Sequence, residues 1–423
     1  WYAFAKEAPD GYDTLGWIGQ QPWSNGKVGT MGSSYAGSDQ SALATMNPAN
    51  LSTMIIAVGA SNYHHCSMRQ NGALEQRFHI YVFRMAATSK EAQADPELKA
   101  ALQHAIEHEM PTIVNNFPLR KGTTILSRLP SYEKWAIDIM TIGKYNDYWK
   151  QRGYAISEYY QEHADVPTMY LGGWYDSYAR ATCENYIALS KIKKSDQRLV
   201  MGPWTHGGWN VTNSGDVDFG VDSHIEINDL SLSWFDRYMK DMNTDVFNWP
   251  KVHIFTMAPN STDEQIDNGM IVHGGQWRKE EDWPIPDTKF TNYYLHSDGS
   301  LNTDIPSETT LDPTTYDFNP TDPVPTIGGG ISAAGDMMLP GAFDQRGRSD
   351  FHGSTIDLPL NARSDVLSFQ TDLLVDDIEV TGPIEMHLWA SSSVIDTDFT
   401  AKLVDLYPSD TNNPAGLAIN ITD

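Results

Sequence analysis

Residues 28–38 read Val-Gly-Thr-Met-Gly-Ser-Ser-Tyr-Ala-Gly-Ser, and Ser34 within them decides the reading of the chain. A short apolar stretch, Val28 to Met31, runs into a Gly-x-Ser step. A small-residue turn and a helix-compatible segment from Ser38 follow. This is the layout of a nucleophile elbow, a sharp strand-to-helix turn that lifts a serine hydroxyl clear of a sheet. Such a turn is strained and wants glycine where side chains collide, a need that Gly32 and Gly37 meet. The N–H groups at the start of the following helix can hold an oxyanion. The closing glycine of Gly-x-Ser-x-Gly comes one residue late, with Ala36 in its place. A Gly/Ser-rich surface turn accounts for the motif alone equally well, so the reading depends on partners downstream.

Partners follow in the order Ser, acid, His expected of an α/β-hydrolase triad. Residues 166–176 read Val-Pro-Thr-Met-Tyr-Leu-Gly-Gly-Trp-Tyr-Asp. Val166 to Leu171 fits a buried parallel strand, and Asp176 stands just past its end, where open α/β sheets place their chemistry. A helical pattern from Tyr178 to Ser190 leads to a second short strand, Arg198 to Met201. Its exit loop, Gly202-Pro-Trp-Thr-His206, carries the histidine. In this arrangement His206 takes the Ser34 proton and Asp176 fixes the imidazole tautomer. The plainer readings are a helix N-cap for Asp176 and an ordinary loop residue, one of 13 histidines, for His206. Three residues in triad order, each after a strand, make the joint coincidence a poor account.

The blocks Gly32-x-Ser34-Tyr35-x-Gly37, Gly173-Trp-Tyr-Asp176 and Trp204-x-His206 resemble the signatures of one family, the cocaine-esterase and X-prolyl dipeptidyl-peptidase serine hydrolases. Residues 322–330, 344–346, 365–371 and 380–384 resemble its C-terminal part, so the likeness spans nearly the whole chain. It implies an α/β-hydrolase core, an inserted helical cap and a C-terminal all-β jelly-roll sandwich. It implies Ser34 as nucleophile, Asp176 as orienter, His206 as base, and the backbone N–H of Tyr35 as half of the oxyanion hole. In this family the second oxyanion donor is a tyrosine hydroxyl on an early strand well ahead of the elbow. Only 33 residues precede Ser34, beginning at Trp1. The expectation is therefore a chain truncated at its N-terminus, with that donor and the first strands outside it. The close of the sequence in a strand-like segment, Leu417 to Asp423, reads the same way.

The chain divides into a first part of the core over 1–65, a cap over 66–165, the rest of the core over 166–249 and a β-sandwich over 250–423. Thr53 to Gly59 reads as the strand after the elbow helix, and residues 72–163 turn helical. Residues 222–242 are amphipathic, with Leu230, Trp234 and Tyr238 on one face. Beyond Trp249-Pro250, short alternating strands between Gly/Pro/Asp turns are expected at 252–257, 291–295, 366–370, 384–390 and 400–406. Trp174, Tyr175, Tyr178 and Trp204, near the triad, are candidates to line a substrate pocket, with core packing the competing account.

With 29 Lys+Arg against 55 Asp+Glu the formal charge is −26, a field that repels nucleic acid and anionic membranes. No apolar run is long enough to span a membrane. The acidity suits a secreted or periplasmic setting. Two cysteines, Cys66 and Cys183, make no disulfide scaffold and read as buried thiols, with a single disulfide left open. His104-Ala-Ile-Glu107-His108 matches a zinc signature, but a polar cap helix lacks the third ligand and cleft such a site needs. His64-His65-Cys66 is adjacent in sequence and its side chains are expected to diverge. No metal or other cofactor is expected.

These features point to a serine hydrolase acting on a small-molecule ester or acyl-amide through an acyl-enzyme. An X-prolyl dipeptidyl aminopeptidase or acylase of the same family is the alternative, and a non-catalytic binding protein on a hydrolase fold the alternative of another class. The α-amino-acid ester hydrolases place carboxylates two and three residues after the triad acid, where this chain has Tyr178 and Ala179. That favours substrates without a free α-amine. Relatives of this kind assemble in several ways, which leaves a homo-oligomer open.

Overall fold

The computed structural model of the chain describes residues 2–259, 266–267, 269–307, 313–332, 337–409, 411 and 413–422. Five strands lie side by side in chain order and in parallel: β1 (Val28–Ser33), β2 (Leu51–Ala57), β3 (Thr168–Tyr175), β4 (Gln197–Thr205) and β5 (Val252–Pro259). An antiparallel strand, β6 (Met270–Glu280), pairs with β5 from His273↔Pro259 to Glu280↔Val252. Two-residue strands at Val217–Asp218 and Asn213–Ser214 continue the sheet beyond β6.

The strands β2 to β4 are nearly continuous apolar runs because both faces are covered. Alternate residues serve opposite cores. Met54, Ile56, Tyr170, Leu199 and Met201 pack under helices α1 (Glu7–Gly19), α2 (Tyr35–Ala44) and α6 (Ala179–Ile192). Ile55, Ala57, Met169, Leu171 and Val200 face the other way, toward α7 (Ile227–Lys240) and the inserted helices. On that face the Trp234 indole N–H donates to Thr53 Oγ1 at 2.8 Å, fixing α7 over β2.

Between β2 and β3 the chain leaves the sheet for a helical layer that includes α3 (Arg77–Ala87), α4 (Pro96–His104) and α5 (Pro130–Thr141). The polar helix that carries His104 and His108 is in three pieces. It is α-helical to His104, widens to a π turn over Ala105–Glu109, and resumes over Met110–Asn115. Pro111 has no N–H to donate to Glu107, and the wider turn absorbs that gap.

The C-terminal part is β-rich, and it begins inside the sheet. Residues 252–257, read as the first sandwich strand, belong to β5, which lies parallel to β4 in the register Leu199↔Val252. Alternation defines a strand but not its partner, so the sequence division at 249/250 falls between two neighbouring strands of one sheet. β7 (Leu403–Tyr407) and β8 (Leu417–Thr422) form an antiparallel pair at the expected 400–406 position. The expected strand at 291–295 is reduced to Tyr294–Leu295, which pairs with Leu301–Asn302. Residues 366–370 and 384–390 form no ladder among the described residues; Gln370 makes one bridge, to Ser300. No described helix is long and apolar enough to cross a membrane.

At Gly173, β3 and β4 lie too close for a side chain. A Cβ on Gly173 would lie 2.2 Å from the Trp204 carbonyl oxygen, a rigid backbone atom. Gly173→Ala is therefore expected to lower stability in urea unfolding by about 3 kcal/mol. Gly16, inside α1 with no heavy atom within 4 Å of its missing Cβ, gives the opposite sign. Gly16→Ala should stabilise by about 0.5–1 kcal/mol.

Candidate active site

Ser34 sits between the end of β1 and the first turn of α2 with φ 59° and ψ −120°. A non-glycine residue held there is strained and persists only where its surroundings over-determine it. They do. The Ser34 N–H donates to Ala57 O at 3.0 Å, tying the elbow to the end of β2. A Cβ on Gly32 would lie 2.7 Å from Ala36 O, and one on Gly37 would lie 2.7 Å from Ala57 O. The late glycine is thus the one that lets α2 settle on β2, and Ala36 needs no such freedom.

The structure brings Ser34, His206 and Asp176 together. His206 Nε2 lies 2.8 Å from Ser34 Oγ, and Nδ1 lies 2.7 Å from Asp176 Oδ2. An ionised carboxylate only accepts, so the proton rests on Nδ1 and Nε2 turns its lone pair to the hydroxyl. The Asp176 side chain is fully buried. Its other oxygen, Oδ1, accepts from the Tyr178 N–H at 2.7 Å. Asp176 thus closes the turn at Tyr178 through one oxygen and faces His206 through the other, while the helix that follows takes Tyr178, not Asp176, as its N-cap. The arrangement can deprotonate a serine hydroxyl at a site flanked by a helix N-terminus.

Of the aromatic candidates, Tyr178 alone adjoins this relay, its ring 5.6 Å from that of His206. Burial holds its phenol above the ordinary range. Trp174 donates its indole N–H to Phe255 O at 2.8 Å and packs on Trp283. Tyr175 is buried and donates to Asn420 O at 3.2 Å. Trp204 is buried, donates to Ser223 O at 2.8 Å and packs on Trp277. These three tie the sheet to later parts of the chain.

Tyr35, whose N–H begins α2, is clamped by residues near the start of the chain. Its ring stacks on Phe4 with centroids 4.2 Å apart. Its hydroxyl donates to Glu7 Oε1 and accepts from the Phe4 N–H at 3.1 Å. Nothing in the spacing of Phe4, Glu7 and Tyr35 announces this contact.

The rings of His104 and His108 lie 4.8 Å apart, tilted by 56°, and each stands 3.7 Å from a glutamate close to it in the chain, Glu109 and Glu107 respectively. His64 Nε2 engages Gly143 O at 2.7 Å, whereas Cys66 turns to Ser61. No group of three or more His, Cys, Asp or Glu able to hold a metal occurs among the described residues. Cys66 and Cys183 are free, and burial pushes both thiols up to about 12.

Comparison with known proteins gives this geometry a family. Residues 1–208 match the profile described as X-Pro dipeptidyl-peptidase (S15 family). Residues 245–422 match the X-Pro dipeptidyl-peptidase C-terminal non-catalytic domain. The chain belongs to the cocaine-esterase and X-Pro dipeptidyl-peptidase family. It is 30% identical over 418 residues to a cocaine esterase of Rhodococcus sp. (strain MB1 Bresler), a match covering 94% of this chain and 66% of the esterase. In fold it is similar to a selenomethionine-labelled α-amino-acid ester hydrolase, with a TM-score of 0.59 and 20% identity. That match covers 98% of this chain and 64% of the other. The chain thus spans just under two thirds of the length of each, and the family fold is an α/β hydrolase with a β-rich C-terminal part.

One turn beyond Tyr35, Asp39 is a partly buried carboxyl whose Oδ1 is enclosed with no hydrogen-bond partner. Burial first, and the Glu7 carboxylate second, push it up to about 8 from an ordinary 3.8. The folded state then holds a proton that the unfolded chain releases near pH 4. This group's stabilising contribution is complete below that pH and is lost as pH rises through about 8. Asp39→Asn should therefore gain on the wild type between pH 5 and pH 8, by more than about 1 kcal/mol in paired urea melts, with no further gain above.

Proposed function

We propose that this chain carries the catalytic centre of a serine hydrolase that cleaves an ester or acyl-amide through an acyl-enzyme. The observation that carries the proposal is the continuous relay Ser34–His206–Asp176 at the C-terminal ends of parallel strands, with the serine on a strained elbow. Ser34 Oγ attacks the carbonyl carbon while His206 Nε2 takes its proton. The tetrahedral oxyanion is met by the Tyr35 N–H at the start of α2. His206⁺, held by Asp176, then returns the proton to the departing alcohol or amine as the carbon–heteroatom bond breaks. Water, deprotonated by the same imidazole, releases the acid and restores Ser34.

Family membership supports hydrolysis, and the similarity to a cocaine esterase favours esters. A peptide amide is the second reading, favoured by the family description of residues 1–208. Tyr178 and Ala179, following Asp176, supply no carboxylate for a substrate ammonium, which weighs toward an uncharged acyl group. The substrate is a small molecule, and the chemistry described needs no cofactor. Residues 66–165 act as the cap over this centre, with the core on either side of them in sequence.

Treatment with a fluorophosphonate probe followed by peptide mapping should place the adduct on Ser34, and Ser34→Ala should abolish it. Hydrolysis of a p-nitrophenyl ester should fall by roughly 10³-fold or more in Ser34→Ala and in Asp176→Asn. Failure of the wild-type protein to label would favour the non-catalytic binding protein.

A further inference from the structure

The acid of the triad lies in a short loop, Asp176-Ser177-Tyr178, and both residues after Asp176 are held by groups from distant parts of the chain. The Ser177 hydroxyl donates to Ser332 Oγ at 2.8 Å. The Tyr178 hydroxyl accepts from Ser67 Oγ at 3.0 Å, and the Tyr178 N–H is the donor to Asp176 Oδ1. One side chain joins these two attachments. Arg77, at the start of α3, donates from Nη1 to Ser332 Oγ at 2.9 Å and to Ser332 O at 3.3 Å. From Nη2 it donates to Ser67 O at 3.2 Å. Its Nε stands 3.3 Å from the Glu75 carboxylate.

Arg77 is 1% exposed. Burying a guanidinium costs several kcal/mol, and apolar residues fill such space at least as stably. Packing alone therefore gives no reason for an arginine here. The planar fork supplies what an apolar residue or a lysine cannot, fixed donors in two directions at once. One direction reaches the residue that holds Ser177 and the other reaches the residue that holds Tyr178.

We infer that Arg77 and Ser332 are positioning residues for the triad, with the guanidinium of the helical layer and a hydroxyl of the C-terminal part jointly fixing the loop that aims Asp176 at His206. The inference rests on the triad reading above. It gives the C-terminal part, whose family profile is described as non-catalytic, a share in setting the catalytic geometry. The Asp176 carboxylate must meet Nδ1 within hydrogen-bond distance, and a displacement of about 1 Å in such a constellation costs on the order of 10²-fold in rate. Neither Arg77 nor Ser332 touches the serine, so substrate binding is left alone while the chemical step suffers.

The test compares wild type, Ser332→Ala, Ser332→Thr and Arg77→Met in steady-state hydrolysis of a p-nitrophenyl ester and in the rate of fluorophosphonate labelling at Ser34. Circular dichroism checks that each protein is folded. Ser332→Ala and Arg77→Met are expected to lose about 10–100-fold in kcat and in labelling rate with KM within about twofold. Ser332→Thr, which restores the hydroxyl, should recover most of that loss. If Arg77→Met does not fold, Ser332→Ala, which deletes a single hydroxyl, carries the test. A reactive wild type with unchanged kcat in folded Ser332→Ala, a loss confined to KM, or no recovery in Ser332→Thr overturns the inference alone. A wild type unreactive at Ser34 overturns the triad reading and this inference with it.

Discussion

Two missing Cβ atoms let helix α2 lie against the ends of β1 and β2, and the site depends on that contact. With side chains at Gly32 and Gly37, Ala36 O and Ala57 O would each be met at 2.7 Å. Without them the helix settles onto the sheet, and Ser34 is forced to a positive φ at the junction. The contact is then sealed by polar groups. Ser38 Oγ accepts from the Ala60 N–H at 3.0 Å and from the Tyr63 hydroxyl at 2.9 Å. The exit loop of β2 is thereby bound to the first turn of the helix. The strain at Ser34 is not relieved locally; it is balanced by this packing, which also fixes where the first N–H groups of α2 point.

The same economy operates at Asp176. A carboxylate after a strand end can close the following turn or face a histidine, and here its two oxygens make one contact each, to the Tyr178 N–H and to His206 Nδ1. The two bonds constrain each other. Rotation that improved one would weaken the other, so the two contacts hold the acid in one orientation. What remains free is the loop as a whole, and it is the loop that Ser332 and Ser67 hold.

The parts legible in the sequence are those in which chemistry and backbone demand the same residues. Gly32, Ser34 and Gly37 mark the elbow because a strained strand-to-helix turn needs glycine at fixed offsets around a small residue. Asp176 and His206 follow from strand ends in triad order. The buried strands are readable because both of their faces are apolar. The illegible parts depend on partners distant in sequence. β5 looks like any short strand, and only its pairing with β4 at Leu199↔Val252 places it in the sheet. The contacts of Arg77 to Ser332 and of Glu7 to Tyr35 carry no local signal, because the partners are distant in sequence. The π turn over Ala105–Glu109 likewise had no signal in the residues before it; its cause is Pro111, one turn beyond Glu107.

The aromatic residues next to Asp176 and His206 in sequence have packing partners of their own. Trp174, Tyr175 and Trp204 lie beside the chemistry in sequence, which made them candidates for a substrate pocket. Successive strand residues point to opposite faces, so neighbours of a catalytic residue often point into packing. Each of the three then needs a partner for its polar atom. Phe255, Asn420 and Ser223 provide these as backbone carbonyls. Asn420 is itself fully buried and accepts from the Phe343 N–H at 2.8 Å, so the Tyr175 anchor is rigid. The mouth of β3 is therefore gripped at Tyr175 by β8 and, past its end, at Ser177 by Ser332. Both attachments come from the C-terminal part. The strand end that carries Asp176 is thus held from the β-rich side of the chain.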